Sequence, residues 1–430
     1  MGYNMFLRSG FFLLFLSQIF CGALSAELSD YAYRRIETDL KERHFDRLGR
    51  FLRDKIEHSE SDFVKIEGIA ENVGSQPLLR AIQATRQFKN MGENLLPVGV
   101  FLQTALFIET DLKQHIAHGQ HYFPKYKTGL STTVEYDPAR RALFIVLDGI
   151  NDAYLGRGAK KTAYKAIAYN KANPKIVARA EQSADVGREL SITKRLEGAR
   201  GLLTIDGFGH HSANGKKYTT IYSKLYRSGN LKKAFVNKIQ FSTYEKVQIA
   251  LKVLQGLESM HEKGIVHRDV CAQNIFLNIE PGNNGKRKID AVIADFGWAH
   301  YAGCCNRRKA QANIINTAPE AVFYENLKRS DYFFTDVYAA GLIFYRLIYG
   351  CKPSWKKASH MVHTREDLYQ KIVDKSREKI EKRKRHLVHM HRSANREFRR
   401  LVLRMIDPDP AKRGTAAELV RKMKSILENH

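Results

Sequence analysis

The residues with the clearest chemistry lie in Val266–Asn274, which reads Val-His-Arg-Asp-Val-Cys-Ala-Gln-Asn. Asp269 and Asn274 stand five positions apart on one loop. That spacing can set a carboxylate beside a hydroxyl nucleophile and an amide oxygen beside a metal ion. Phosphoryl transfer needs both, because its catalysis is mostly positioning and charge neutralisation. A second carboxylate follows in Ala294-Asp295-Phe296-Gly297, after an apolar stretch that reads as a strand. Gly297 permits a sharp turn there, so Asp295 is the candidate magnesium ligand, with Asn274 as the other.

Elements able to hold such loops can be read along the chain. Up to about residue 123 the apolar spacing is helical: Ile36, Leu40, Phe45, Leu48, Phe51 and Leu52 recur among many charges. The apolar segment Leu95–Ile108 is interrupted by Pro97, Gln103 and Thr104 and predicts a buried helix, being too short and too polar for a membrane span. From about residue 131 the pattern changes to antiparallel strands: Ser131–Tyr136, Ala142–Leu147, Thr162–Tyr169, Lys175–Ala180 and a pair within Leu202–Leu225. A helix is predicted over Val186–Leu196. Beyond Tyr244 the chain reads as mostly helical, with short strands near Ile275 and Val292 and a polar hairpin over Glu280–Lys288. The expected class is α+β, with a β-rich lobe, a larger helical lobe and a ligand cleft between them.

Taken together, the motifs resemble the eukaryotic-type protein kinase superfamily, as a divergent member. They match its H-R-D-x-x-x-x-N and D-F-G signatures in order. Leu155-Gly156-Arg157-Gly158 resembles the start of its glycine-rich phosphate loop, but Lys161 stands where the third glycine belongs. Ile176-Val177-Ala178-Arg179 occupies the place of the V-A-I-K strand, which puts Arg179 at the lysine position; an alternative alignment puts Ala180 there and leaves no cation. Glu189 resembles the helix glutamate that braces this lysine. Lys224 and Tyr226 fall in the expected adenine hinge, Ser223–Tyr226. Ala318-Pro319-Glu320, Thr335-Asp336 and Arg413 resemble three landmarks of the large lobe, the last pairing with Glu320. The resemblance covers roughly residues 140–426.

The resemblance implies an enzyme using ATP and Mg2+. Asp269 would act as catalytic base or orienting group, Asn274 and Asp295 would hold the metal, and Gly156, Gly158 and Arg179 would lie around the phosphates. A protein hydroxyl would be the acceptor, with Ser/Thr or Tyr unresolved, since Cys271 replaces the lysine usual after the catalytic Asp in Ser/Thr members. The alternative from another class is a pseudokinase acting as a nucleotide-binding or interaction scaffold.

Composition narrows partners and compartment. With 430 residues, 43% hydrophobic, the chain can bury a large core and is not disordered. Lys and Arg number 71 against 45 Asp and Glu, a net charge of +26 that points to acidic partners. Arg377–Arg404 is the densest basic segment and a candidate docking patch for an anionic partner. Nucleic acid ranks lower, because no aromatic stacking array accompanies the charge. Arg8, the apolar run Phe11–Phe20 and the small residues Gly22, Ala23, Ser25 and Ala26 have the form of a secretory signal peptide. The expected organisation is a signal peptide over 1–26, a helical extension over 27–130 and a kinase-like domain over 131–426. The expected compartment is an exported one, in a secretory lumen or as a translocated effector, with no transmembrane span in the mature chain; a membrane-anchored or cytoplasmic protein is the alternative. The cysteines that remain, Cys271, Cys304, Cys305 and Cys351, show no zinc spacing and read as free thiols.

Overall fold

The computed structural model describes residues 31–428 except 57, 94, 125–128, 148–149, 159–160, 184–186, 214, 283–286, 304–317, 329, 352–363 and 392. The leader and the Cys304–Cys305 pair lie outside the described residues. The chain divides into two compact units, Met1–Ala184 with Asp206–Leu225, and Asp185–Ile205 with Tyr226–His430.

In the first unit the helical spacing is realised as α1 (31–41), α2 (Phe45–Lys55), α3 (Glu60–Val73), α4 (Gln76–Asn90), α5 (Val98–Thr110) and α6 (Leu112–Ala117). Ile36, Leu40, Leu48 and Leu52 are buried in one core with α3–α5. A capping box at Ser59 and Asp62 fixes the start of α3, and a left-handed Gly74 ends it. The apolar segment α5 buries Phe101, Leu102, Gln103, Thr104, Ala105 and Leu106, as its interrupted sequence predicts. Among the described residues no helix is long and apolar enough to cross a membrane.

The strands β1 (Tyr122–Phe123), β2 (Thr133–Asp137), β3 (Ala142–Val146), β4 (Tyr154–Arg157), β5 (Lys161–Tyr169), β6 (Lys175–Ser183), β7 (Ile205–Ala213) and β8 (Lys216–Lys224) form one sheet in the order β1-β2-β3-β5-β6-β8-β7, with β4 also on β5. The ladders β1–β2, β2–β3, β3–β5, β4–β5, β5–β6 and β6–β8 are all antiparallel. Strand alternation gives the sheet two different faces. Ile145, Ile167 and Ile176 face the helical core, whereas Phe144, Ala166, Val177 and Tyr222 form a separate cluster on the other side. The sheet curls so that β2 reaches β7: Phe208 N donates to Asp137 Oδ2 at 2.9 Å.

The second unit holds α7 (Gly187–Arg195), α8 (Leu231–Val236), α9 (Thr243–Glu262), the short strands β9 (Ile265–Val266), β10 (Ile275–Pro281), β11 (Arg287–Ile293) and β12 (His300–Tyr301), and then α10 (Asp331–Tyr349), α11 (Arg365–Val388), α12 (Ala394–Met405), α13 (Pro410–Arg413) and α14 (Ala416–Glu428). The polar hairpin is β10 and β11, paired in register from Ile275↔Ile293 to Pro281↔Arg287. Helix α9 starts at a second capping box, Ser242 with Glu245, and buries Val247, Ile249, Ala250, Val253, Leu254, Leu257 and Met260. Buried Arg413 makes a two-pronged pair with Glu320, at 2.6 and 2.8 Å. The fold is thus a sheet-rich amino-terminal part and a helical carboxy-terminal part, preceded by a helical extension.

Candidate active site

The loop carrying Asp269 is shaped by a carboxylate far away in sequence. Asp336, buried on α10, accepts the backbone amides of His267 (2.8 Å, Oδ2) and Arg268 (2.9 Å, Oδ1), and lies 3.1 Å from His261 Nε2. These bonds hold Arg268 at a φ of 67°, a left-handed conformation that a residue with a side chain rarely adopts unaided. Asp269 N donates to His267 Nδ1 at 3.2 Å, and His267 Nε2 stands 3.2 Å from the Ala294 carbonyl. One neutral tautomer, with the proton on Nε2, satisfies both contacts. His267 is therefore a fully buried strut between the two motif loops, with no place in proton transfer.

Asn274 turns its amide nitrogen towards Asp269, donating to the backbone oxygen at 3.0 Å and to Oδ2 at 2.9 Å. The carbonyl end of the same side chain is thereby turned away from Asp269, as a metal ligand requires. The backbone oxygen of Asn274 accepts Ala294 N at 2.8 Å, and the β10–β11 ladder begins at the adjacent pair, Ile275 and Ile293. That short ladder brings the loop of Asp269 and Asn274 beside Asp295.

Asp295 is exposed, has a φ of 65°, and accepts Gly297 N at 3.3 Å. A Cβ placed on Gly297 would lie 3.3 Å from Asp295 Oδ1 and 3.4 Å from Glu189 Oε2. The α7 glutamate is thus close to the turn that presents Asp295, and glycine suits the narrow gap. Burial pushes the Asp269 carboxyl above the usual carboxylate range; the Asp295 charge adds to this, against the Asn274 amide. Burial, then the Asp269 charge, also push the neighbouring Cys271 thiol up to about 12, so it stays protonated. Hard oxygen donors from Asp295 and Asn274 beside a base-like carboxylate suit Mg2+ better than a soft metal.

The other expected residues lie in the first unit, Tyr226 excepted. Gly156 has a φ of 151°, accessible to glycine, and Gly158 N donates to Lys161 O at 2.8 Å, closing the β4–β5 hairpin. Arg179, however, is 1% exposed and sits among acids. Its Nη2 is 2.5 Å from Glu181 Oε2 and 3.8 Å from Glu135 Oε1. Glu135, buried on β2, also accepts the Tyr222 hydroxyl and has His211 Nδ1 at 3.0 Å. Burial opposes its charge, but His211, Arg179 and Tyr222 together hold it below the usual carboxylate range.

Register explains the placement of Arg179. Its cross-strand neighbours are Tyr164 and Tyr222, whereas Ala163 faces Ala180, Lys161 faces Gln182 and Lys165 faces Ala178. Directly opposed residues share a face, so Arg179 and Lys161 occupy opposite faces of the sheet. Lys161 shares its face with Ala163, Ala178 and Ala180, the strand residues that follow the glycine hairpin and those of the alternative alignment. Neither Glu135 nor His211 stands out in the sequence, and Glu135, flanked by Val134 and Tyr136, reads locally as a solvent-facing strand residue.

Lys224 is exposed at the end of β8. Tyr226 is buried, with its hydroxyl 3.4 Å from Asp290 Oδ2 on β11 and its ring stacked on Phe276. The chain passes from the first unit to the second between Leu225 and Tyr226, where a hinge is expected.

Comparison with known proteins gives the same direction. Residues 151–423 match the family model described as protein kinase domain. A rice protein (Oryza sativa subsp. japonica) named "Probable serine/threonine-protein kinase WNK6" is 26% identical over 232 residues, covering 51% of this chain and 48% of its own. A second rice protein, named "Probable serine/threonine-protein kinase WNK9", is 26% identical over 245 residues, 54% of this chain and 52% of its own. A Dictyostelium discoideum protein named as a probable myosin light chain kinase is 27% identical over 188 residues, 44% of this chain and 43% of its own. The chain spans about half the length of the curated relatives it matches.

Proposed function

The chain belongs to the protein kinase family, and on that premise we propose that it transfers the γ-phosphoryl group of ATP to a serine or threonine hydroxyl of a protein. The observation that carries this reading is the convergence of Asp269, Asn274 and Asp295 at the start of one two-stranded ladder. Family members generally use ATP and Mg2+, and the donor set fits that metal. Asn274 and Asp295 would hold it, and the metal would supply charge neutralisation on the phosphates. Asp269 would orient the acceptor hydroxyl and take up its proton. Gly156 would present its backbone to the phosphates, Gly158, whose amide closes the hairpin, would let the loop lie close to them, and Lys224 and Tyr226 would flank the adenine hinge.

For the phosphate cation, expected at Arg179, we favour Lys161. Arg179 is buried against Glu181 and Glu135, and Lys161 stands in the β4–β5 hairpin that carries Gly156 and Gly158. A lysine at the third-glycine position would then supply what the strand does not. A second reading, the pseudokinase scaffold, takes its support from that same commitment of Arg179. Radiolabelled ATP with generic protein acceptors, beside a nucleotide thermal-shift measurement, separates the two. Transfer supports the enzyme; nucleotide binding without transfer across metals and acceptors supports the scaffold.

Two further proposals concern surroundings. The basic segment Arg377–Arg404 would dock an anionic partner through Arg377, Lys382 and Arg385, which are exposed on α11. Other cations of the segment have structural duties: Arg383 lies over the Tyr349 ring at 4.1 Å, and Arg404 pairs with Glu418 at 2.8 Å. Export is proposed from the leader-like start alone, and amino-terminal sequencing of the mature chain tests it.

A further inference from the structure

The neighbourhood of Asp269 in the second unit has an unusual charge. Helix α8 lies against the loop of Asp269: Lys232 N donates to Ala272 O at 2.9 Å, three residues beyond the catalytic aspartate. Two more contacts fix the segment that leads into α8, Leu277 N to Gly229 O at 2.8 Å and the bridge between Asn230 and Phe276. The Asn230 side chain caps the helix, accepting Lys233 N at 3.0 Å. The α8 cations are therefore positioned by backbone bonds to the active loop itself.

From Tyr226 to Thr243 the sequence contains Arg227, Lys232, Lys233 and Lys238 and no Asp or Glu. Lys232, Lys233 and Lys238 are exposed, and so is Gln273 in the loop. On the buried side of α8, Arg346 lies over the Phe235 ring at 4.1 Å and adds a further positive charge. Three acids on neighbouring elements are engaged: Asp290 with the Tyr226 hydroxyl at 3.4 Å, Glu245 with Arg287 at 2.6 Å, and Glu280 with Asn278 at 2.5 Å and opposite Lys288 in the hairpin. An acceptor peptide reaching Asp269 along this side meets a positive field.

We propose that α8 is an acceptor-binding surface, and that the preferred acceptor hydroxyl lies in an acidic peptide segment. This rests on the phosphoryl-transfer reading, and it names that site's substrate class. The charge of the flanking residues would discriminate among peptides chiefly through association and orientation, and salt would weaken it.

The test uses the full chain and fluorescent peptides carrying one serine, threonine or tyrosine within acidic, neutral or basic surroundings. Initial transfer rates and fluorescence anisotropy are measured on the same peptides. We expect kcat/KM for the acidic peptides to exceed that for the others by about tenfold, the scale of a few partly screened ion pairs. The double variant Lys232→Glu with Lys233→Glu should reverse the order. KM for acidic peptides alone should rise between low and high salt in the native chain, a readout that needs no variant. A preference for basic or neutral peptides, an unchanged order in the double variant, or binding to phosphatidylserine vesicles in place of acidic peptides would overturn the proposal. Acid-selective anisotropy without transfer would keep the surface and remove the kinase reading. Transfer without acid selectivity would keep the kinase reading and remove the surface.

Discussion

Arg179 and Glu181 stand two residues apart on β6, on the same face of the strand, with Nη2 and Oε2 at 2.5 Å. Together with Glu135 and Tyr222 they make a buried polar cluster that joins the strands before residue 151 to the matched region. Replacing Arg179 by Lys keeps the charge and loses the planar fork, so it should lower stability first. Lys161→Met, by contrast, should leave the melting temperature within a few degrees and reduce phosphoryl transfer about 100-fold or more. Thermal denaturation beside radiolabelled transfer assays decides; undiminished transfer in Lys161→Met would return the role to Arg179.

Asp269→Asn should reduce transfer about 1,000-fold while nucleotide binding stays near that of the native chain. The pH profile gives an independent check. A base must be ionised to act, and the Asp269 carboxyl titrates above its ordinary range because of burial. The acid limb of kcat should therefore fall at a higher pH than a free aspartate would give. Activity that is flat down to about pH 4 would contradict the assignment.

Arg413→Ala leaves Glu320 without its two-pronged partner beside the core. Breaking such a pair by removing one side typically costs about 3–5 kcal/mol. Urea denaturation should show this as a lower midpoint at an unchanged slope. A change below about 1 kcal/mol would mean that the pair is replaced by water or by another cation.

A chain beginning at residue 151, where the family match starts, should not form the native sheet. It would lack β2 and β3, leave the Ile167 and Ile176 face without its helical cover, and remove Glu135 from Arg179. Circular dichroism and melting of chains beginning at 31 and at 151 make the comparison. Equal cooperativity in the two would show that the extension is dispensable.

Much of this was legible from residues close together in sequence. The Asp269–Asn274 loop and the Asp295 turn are continuous motifs, and the buried faces of α1, α2 and α5 follow from spacing alone. The β10–β11 hairpin also emerged where the polar insertion suggested it. What escaped was set by register. Whether Arg179 or Ala180 shares a face with the glycine hairpin depends on how β6 pairs with β5 and β8, and the local sequence permits both. Lys161 was visible as a departure from a glycine pattern, yet its side of the sheet becomes evident only once Ala163 is seen opposite Ala180. Glu135 lies 44 residues before Arg179, in a strand that no motif marks.

The bonds from Asp336 to the amides of His267 and Arg268 carry a consequence for how the protein is made. The loop does not contain the information for its own shape, since the carboxylate that holds it is 68 residues further along the chain. During synthesis, Asp269 will have left the ribosome well before α10 exists, and until that helix docks the amides of His267 and Arg268 lack the Asp336 carboxylate. A chain ending before Asp336 would therefore lack the contact that shapes the Asp269 loop, which ties the order of that loop to the completion of α10.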